Sequence, residues 1–336
     1  TGVDLVEWQL RVAAGETLPK RQEELQIAGH AFEARLYAED VPKGFLPATG
    51  RLTHLAFPAG CRADSGVRAG DVISPWYDPM IAKVIVHGPT RAIALKRLSA
   101  ALKGTEVAGT VTNLAFLGAL AGHDGFARGD VDTGLIARDI DTLVVPPAPG
   151  ARHMVAAAMA VADARQGWAQ GFTLWAPLEQ SVHLTWGDDP VKAVLSAEGP
   201  DRQVWRIGDN RVVAERQDGA WRVDGLALPL TALASGTVTV FDAYGLAFGI
   251  VDPLDRAATK GGDLNVIGAP MPGLVKAIFA RAGQRVAEGD RLAILEAMKM
   301  EHSLLAARDG VVAEVLAQAG AQVEAGAALV RLETEE

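Results

Sequence analysis

The strongest constraint on the fold is an internal duplication in residues 265–335. Positions that hold glycine or an aliphatic residue in the first half recur 37 residues later with the same character. Glycine suits tight turns because it adopts positive φ without a steric penalty. We therefore predict an all-β flattened barrel of two interlocked sheets related by a pseudo-twofold axis. The recurring pairs are Gly273 and Gly310, Val275 and Val312, Ile278 and Val315, Gly283 and Gly320, Val286 and Val323, Gly289 and Gly326, and Leu292 and Leu329.

A lysine lies at the junction of the two halves. Lys299 falls in the hairpin that joins them, within Glu296-Ala297-Met298-Lys299-Met300. Lysine offers a nucleophilic amine on a long side chain, and a two-residue turn between packed strands would hold that amine at an exposed, rigid tip. The alternative is an ordinary solvated lysine, but two methionines flank Lys299 where polar turn residues are usual. The pattern favours a carrier lysine.

The same segment carries a close resemblance. Residues 296–301, with Ala269-Pro270-Met271-Pro272-Gly273 upstream, resemble the biotinyl domain of biotin-dependent carboxylases. The resemblance implies that a biotin protein ligase joins biotin to Lys299 through an amide bond, with Met298 and Met300 beside it. Lipoyl carrier domains share the duplicated fold, but they usually flank their lysine with Asp and Ala, so the methionines favour biotin.

Residues 1–143 are predicted to mix helices and strands. Leu5, Trp8 and Val12 have helical spacing, whereas residues 28–38 alternate in the manner of a strand. A threonine able to serve as N-cap begins each of two later helices. The predicted helices cover residues 3–14, 90–102 and 112–121, and the predicted strands cover residues 28–38, 52–57 and 81–87.

This region resembles the C-terminal subdomain of biotin carboxylase, an ATP-grasp enzyme. The segments that carry the resemblance are Thr1-Gly2-Val3-Asp4-Leu5, residues 32–40, Phe45-Leu46-Pro47-Ala48-Thr49-Gly50, residues 77–83 and Thr112-Asn113.

The resemblance implies a catalytic role for Arg35, as the arginine that faces the ureido oxygen of biotin. Deprotonation of the ureido nitrogen places negative charge on that oxygen, and a guanidinium stabilises the resulting enolate. The alternative is a structural ion pair between Arg35 and Glu33, Glu39 or Asp40. No metal site is predicted, because His30 and His87 show no ligand spacing with other histidines, cysteines or carboxylates.

The middle of the chain is predicted to be a helix inside a small antiparallel barrel or sandwich. Three prolines among residues 144–150 mark a linker. A small-faced helix follows to about Gln166, and residues 172–251 then hold short strands with a turn signal every ten residues. The expected organisation is 1–143, a linker at 144–150, a docking domain at 151–256, a linker at 257–264, and a biotinyl domain at 265–335.

Charge and cysteine content limit the partners. The net charge is −9, without a basic run, which argues against nucleic-acid or membrane-surface partners. Cys61 is the only cysteine, so no internal disulfide forms and a reducing compartment is expected. Richness in alanine and glycine indicates a bacterial cytoplasm, or the mitochondrial matrix if the source is eukaryotic.

The sequence also suggests what acts with this chain. A carboxyltransferase (β/α)₈ barrel needs ~250 residues, which do not fit between the two ends, so that activity is expected on a partner subunit. The resemblance implies the biotin-containing alpha subunit of an acyl-CoA carboxylase, most like the 3-methylcrotonyl-CoA carboxylases of leucine degradation. Propionyl-CoA and geranyl-CoA carboxylases are the alternatives, and the acyl-CoA is expected on the partner.

The ATP-binding part is expected to precede Thr1, because no glycine-rich phosphate loop is present. ATP, bicarbonate and Mg²⁺ are therefore cofactors of the full-length subunit, and this chain alone would accept and donate a carboxyl group without making one. A different class of protein, a non-catalytic carrier and docking module, stays open. The reading frame upstream of Thr1 would discriminate the two hypotheses.

Overall fold

Among the described residues, the computed structural model has a main hydrophobic core in each of three consecutive parts of the chain. The first part also holds a smaller cluster of Val41, Phe116, Leu135 and Leu143. We call these parts the first, middle and C-terminal regions. No helix among the described residues is long and apolar enough to cross a membrane. The structure describes residues 1–163, 175–176, 178–234, 236–253, 265–297 and 300–333.

The first region mixes helices and strands, as predicted. A three-stranded antiparallel sheet in the order β1-β8-β6 packs against α2, and buried Leu36, Val84 and Leu102 join the two layers. Two of its helices, α4 and α5, were not predicted. The elements are α1 (Leu5–Ala13), a 3-10 turn (Gln22–Glu24), β1 (His30–Tyr37), β2 (Glu39–Asp40), β3 (Leu46–Pro47), β4 (Gly50–Arg51), β5 (His54–Ala56), β6 (Arg62–Ser65), β7 (Val72–Ile73), β8 (Met80–Gly88), α2 (Arg91–Lys103), β9 (Glu106–Ala108), α3 (Leu114–Ala121), α4 (Asp124–Arg128) and α5 (Leu135–Leu143).

Of the two predicted threonine N-caps, the structure confirms one and contradicts the other. Thr90 caps α2 as predicted, and its hydroxyl accepts a hydrogen bond from the amide of Ile93 at 3.3 Å. The prediction for Thr112 is wrong by one residue, since Asn113 occupies the N-cap position of α3. The physical reason is that Asn113 is bonded to β1, so that helical geometry begins only after it.

The middle region is a sheet curled around one helix. Val155 to Met159 of the helix are fully buried, and their mostly small side chains let the sheet approach closely. This agrees with the prediction of a helix wrapped by antiparallel strands, although the two edge strands, β15 and β16, are not paired with each other. The helix ends at Val161, earlier than predicted, and residues 164–166 lie outside the described residues. The elements are α6 (Ala151–Val161), β10 (Glu179–Trp186), β11 (Asp189–Gly199), β12 (Arg202–Ile207), β13 (Asn210–Gln217), β14 (Ala220–Val223), β15 (Leu226–Ala227), β16 (Leu230–Ala234), β17 (Thr237–Phe241) and β18 (Leu246–Ile250), in the sheet order β15-β14-β13-β12-β11-β10-β18-β17-β16.

The C-terminal region confirms the predicted duplication. It has two four-stranded sheets, in the orders β19-β26-β24-β21 and β23-β22-β20-β25. A shift of 37 residues maps β20, β21 and β22 onto β24, β25 and β26, and each half contributes strands to both sheets. Even the irregularity recurs, since the register shifts at 275/277 in one half and at 312/314 in the other. The strands are β19 (Val266–Gly268), β20 (Gly273–Ile278), β21 (Arg285–Val286), β22 (Arg291–Ala297), β23 (Met300–Leu305), β24 (Gly310–Val315), β25 (Gln322–Val323) and β26 (Ala328–Leu332).

One turn joins the middle region to the first. Between β17 and β18, Tyr244 reaches the first core and lies against Gly118 of α3, where an added Cβ would lie 2.2 Å from the Tyr244 ring. At the start of this turn the Phe241 ring packs on His54, with ring centroids 4.5 Å apart. The curled sheet is therefore seated directly on α3 and β5.

Candidate functional site

The hairpin of β22 and β23 holds the predicted carrier segment. The two strands pair as far as Ala297 and Met300, so two residues of sequence connect them. Those two, Met298 and Lys299, lie outside the described residues, and only the backbone of Met300 is described. The roles of Lys299, Met298 and Met300 therefore stay predictions, and the described residues give the support on which the hairpin rests.

The hairpin lies tightly on the turn that precedes β20. An added Cβ on Gly273 would meet the carbonyl oxygen of Glu296 at 2.8 Å and the Leu295 side chain at 3.0 Å. Only glycine allows this approach without a displacement of the hairpin. Met271 and Ala297 are also buried here, in the core of the C-terminal region. The two quoted segments thus form one packed unit, which explains why their spacing matters.

A charged cluster surrounds the base of the hairpin. Glu296 and Glu301 are directly opposite each other, an unfavourable like-charge pair. Lys276 is the extra residue of a β-bulge in β20, and its ammonium lies 3.4 Å from Glu296 and also contacts Glu301. The hydrogen bond to Glu301, with a further contribution from Glu296, raises the pKa of Lys276. The bulge therefore points a compensating charge at both glutamates.

His302, on β23, is a half-buried polar residue that sequence reasoning missed. Its Nε2 atom is buried and has no hydrogen-bond partner among the described residues. Burial lowers the pKa of the imidazole, because the charged form loses hydration. Burial therefore favours the neutral form of this side chain, three residues after Lys299.

Arg35 lies on β1 with Glu33 and Tyr37 on the same face of the strand. Its Nε is 3.4 Å from Glu33, a long contact, and the side chain is 64% exposed. Hydrogen bonds to Glu33 and then to Tyr37 raise the pKa of the guanidinium. Of the structural ion pairs considered, the one with Glu33 is present, while Asp40 pairs with Lys43 at 2.9 Å. A long, exposed contact leaves Arg35 able to face a ligand.

A cavity of about 320 Å³ lies beside Arg35. Its polar lining comes from β1 and its neighbours, and α2, α3 and α4 supply an apolar wall. Burial, with a smaller contribution from the nearby Asp78 carboxylate, raises the pKa of Glu39 at the rim. The cavity suits a compact ligand that is partly apolar and has one polar edge for the guanidinium. The polar lining residues are Glu33, Arg35, Tyr37, Glu39 and Asn113, and the apolar ones include Leu98, Leu117, Leu120 and Phe126.

Two family models match the chain at its two ends. Residues 33–138 match the biotin carboxylase C-terminal domain, and residues 265–332 match the family described as biotin-requiring enzyme. The first match contains Arg35 and the cavity, and the second contains the duplicated strands and their hairpin. The chain therefore contains the C-terminal domain of a biotin carboxylase and a biotinyl domain.

Relatives that match along nearly the whole chain are alpha subunits of acyl-CoA carboxylases. The mitochondrial methylcrotonoyl-CoA carboxylase subunit alpha of Rattus norvegicus is 34% identical over an alignment of 372 positions, gaps included, which covers 100% of this chain and 52% of the relative. The propionyl-CoA carboxylase alpha chain of Ruegeria pomeroyi is 34% identical and covers 95% of this chain and 54% of the relative. The chain thus spans about half the length of the curated relatives that it matches.

Among solved structures, the chain resembles the biotin carboxylase domain of Hydrogenobacter thermophilus 2-oxoglutarate carboxylase, which was crystallised with MgADP, ADP and bicarbonate. That match is 34% identical, covers 44% of this chain and 33% of that chain, and has a TM-score of 0.43.

Proposed function

We propose that this chain carries biotin on Lys299 and belongs to the alpha subunit of an acyl-CoA carboxylase. In this role it takes a carboxyl group from a biotin carboxylase site to a carboxyltransferase on a partner subunit. The observation that supports the proposal most strongly is the presence of a biotin carboxylase C-terminal domain and a biotinyl domain in one chain. A carrier and part of the site that loads it would thus share one polypeptide.

When bound, biotin supplies a ureido nitrogen that accepts and releases a carboxyl group. Lys299 would hold it through an amide bond at the end of a long side chain. Packing around Gly273 and the Lys276 contacts would keep the hairpin in place under that arm. ATP, Mg²⁺ and bicarbonate would serve the carboxylase reaction of the full-length subunit.

Arg35 would stabilise negative charge on the ureido oxygen. The chemistry of the cavity fits this role, since an apolar wall suits a ring system and the guanidinium suits a carbonyl edge. The weak, exposed contact with Glu33 would yield readily to a ligand oxygen, because such pairs contribute little. Arg35→Ala should therefore slow biotin carboxylation by about 10²–10³-fold while Lys299 remains biotinylated. An unchanged rate would return Arg35 to a structural role.

The attachment site is tested by intact mass. Co-expression with a biotin protein ligase should add one biotin to the chain, and Lys299→Arg should abolish the addition. Lys276→Arg is the matched control, because it makes the same change in the same region and should leave the added mass intact. Biotin that remains after Lys299→Arg would refute the assignment.

The middle region, residues 151–256, is proposed to dock the carboxyltransferase subunit. Within the described part of the chain, its edge strand β16 pairs only with β17, and Leu230 and Leu233 are 65% and 57% exposed. Such an edge is suited to pairing with another chain. Leu230→Asp with Leu233→Asp should weaken co-purification with the partner, whereas Leu10→Asp on α1 should not. Co-purification that survives deletion of residues 145–264 would contradict the proposal.

The acyl substrate is proposed to be 3-methylcrotonyl-CoA, which would assign the enzyme to leucine degradation. Support comes from relatives in Rattus norvegicus, Mus musculus and Arabidopsis thaliana that are named methylcrotonoyl-CoA carboxylases. Propionyl-CoA is the second candidate, since the Ruegeria pomeroyi and Homo sapiens relatives are propionyl-CoA carboxylases. The assembled enzyme should carboxylate 3-methylcrotonyl-CoA with a higher kcat/KM than propionyl-CoA or geranyl-CoA. A preference for either of the others would reassign the substrate.

A further inference from the structure

Asn113 makes three hydrogen bonds to the strand that carries Arg35. Its backbone N–H donates to the carbonyl of Tyr37 at 3.1 Å, and its side-chain Oδ1 accepts from the Tyr37 amide at 3.0 Å. Its Nδ2 donates to the carbonyl of Arg35 at 3.2 Å. Asn113 is only 5% exposed, so these bonds are formed away from water. One side chain thus spans the backbone from Arg35 to Tyr37.

The hydrogen bonds of Asn113 lie at the open edge of β1, next to an irregularity in the sheet. Among the strands that the structure describes, β1 is an edge strand that pairs only with β8, and the register with β8 shifts between Leu36 and Tyr37. The extra residue of this bulge is Ile81 of β8, so Tyr37 lies where the ladder between β1 and β8 is locally disrupted. Asn113 bonds the open edge at the same place, where a further strand would otherwise lie. The bulge and the bridge together fix the backbone that carries the Arg35 side chain.

Asn113 makes these bonds instead of the one that its position predicts. It is the N-cap residue of α3, where asparagine normally accepts a hydrogen bond from an amide of the first turn. Its side chain forms no such bond. Thr112 instead accepts from the Leu114 amide at 3.4 Å. An aspartate would cap a helix as well as asparagine does, but it has no N–H for the Arg35 carbonyl.

We propose that Asn113 is a positioning residue for Arg35, an inference that rests on the proposed function. Asn113, Arg35 and Tyr37 line the same cavity, so the bridge fixes the backbone from which the guanidinium reaches its ligand. Loss of the bond to the Arg35 carbonyl frees that backbone at the bulge and misplaces the charge. A displacement of about 1 Å at a reacting group lowers rates by ~10²-fold.

A double-mutant cycle in the full-length subunit tests the inference. Asn113→Asp keeps the shape and the acceptor for Tyr37 but removes the donor for Arg35, and Arg35→Ala removes the guanidinium. The measurement is ATP-dependent incorporation of labelled bicarbonate into free biotin, with kcat and KM determined separately. Asn113→Asp should lower kcat/KM for biotin by about 10–100-fold. In the Arg35→Ala background it should have little further effect, because there is no guanidinium left to position.

A control variant and two different negative results separate the inference about Asn113 from the proposed role of Arg35. Gln203→Glu makes the same amide-to-carboxylate change at a residue that is 5% exposed in the middle region, and it should leave kcat/KM for biotin unchanged. If Arg35→Ala has no effect, the proposed role of Arg35 fails. If Arg35→Ala slows the reaction but Asn113→Asp does not, or if the two losses multiply, only the inference about Asn113 fails. Should Asn113→Asp not fold, the neutral Asn113→Ser takes its place in the same cycle.

Discussion

Because Tyr244 contacts Gly118, we expect Gly118→Ala to destabilise the protein, although the same substitution in a helix is normally stabilising. Gly118 is inside α3, where replacement of glycine by alanine normally stabilises a helix by about 1 kcal/mol. Here the new Cβ would lie 2.2 Å from Tyr244 Cζ and 2.5 Å from Cε1 and the hydroxyl oxygen. Overpacking of this kind costs about 1–3 kcal/mol. Gly118→Ala should therefore lower the free energy of unfolding of the first region by about 1 kcal/mol.

The ring has little room to relax, because its backbone is constrained. Ala243 and Tyr244 have φ of 46° and 71°, conformations that residues other than glycine adopt only when their surroundings hold them. Asp242 helps to hold this turn, since it contacts Arg152, accepts the Ala243 amide at 2.8 Å and lies 3.3 Å from His153. Tyr244→Ala removes the ring and hence the clash. In that background Gly118→Ala should become stabilising by about 0.5–1 kcal/mol.

Native-state hydrogen exchange of the α3 amides, read by mass spectrometry, measures both effects. Gly122→Ala adds the same atom at the end of the same helix, where the nearest atom is 3.5 Å away, and it should change little in either background. Tyr77→Ala is the matched control for loss of a ring, because Tyr77 is 75% exposed. If Gly118→Ala stabilises the protein equally with and without the Tyr244 ring, Tyr244 does not pack against Gly118 of α3.

Three further outcomes follow from single contacts. Gly273→Ala should destabilise the C-terminal region by about 1–3 kcal/mol and slow biotinylation by a ligase, whereas Gly268→Ala, whose nearest contact would be 3.5 Å, should do neither. The lowered pKa of His302 means that the unfolded chain binds more protons, so stability should fall as pH drops below about 6.5, and His302→Leu should remove that dependence in urea titrations. Thr90→Ala should destabilise α2 by about 1 kcal/mol in native-state hydrogen exchange, and an unchanged protection there would show that the cap bond contributes nothing.

The sequence was most informative where one local pattern repeats. The 37-residue shift predicted strands in corresponding positions of two sheets, and β20 and β24 are such a pair. Alternation predicted β1, and a threonine able to serve as N-cap predicted the start of α2. These signals succeed because the period of a helix or strand decides which side chains share a face, and that period is a local property of the chain.

The resemblance to biotin-dependent carboxylases could also be recognised without a structure, because the motifs around Arg35 and Lys299 are each continuous in sequence. The family matches at 33–138 and 265–332 confirm the two domains. The residue roles stay predictions, and Lys299 itself lies outside the described residues.

Only the tertiary structure determined the contacts between residues that are far apart in the sequence. From the sequence, we assigned the cap of α3 to Thr112 and gave Asn113 no role in the site. Asn113 is 76 residues from Tyr37 in sequence, and only packing of α3 beside β1 brings their polar groups together. Lys276 became the partner of two glutamates because a bulge turned it toward them. Gly118 of α3 lies against Tyr244, a residue 126 positions away in sequence. A sequence pattern states which side of an element is buried, but the atoms on the other side of the contact are fixed only when the elements have packed.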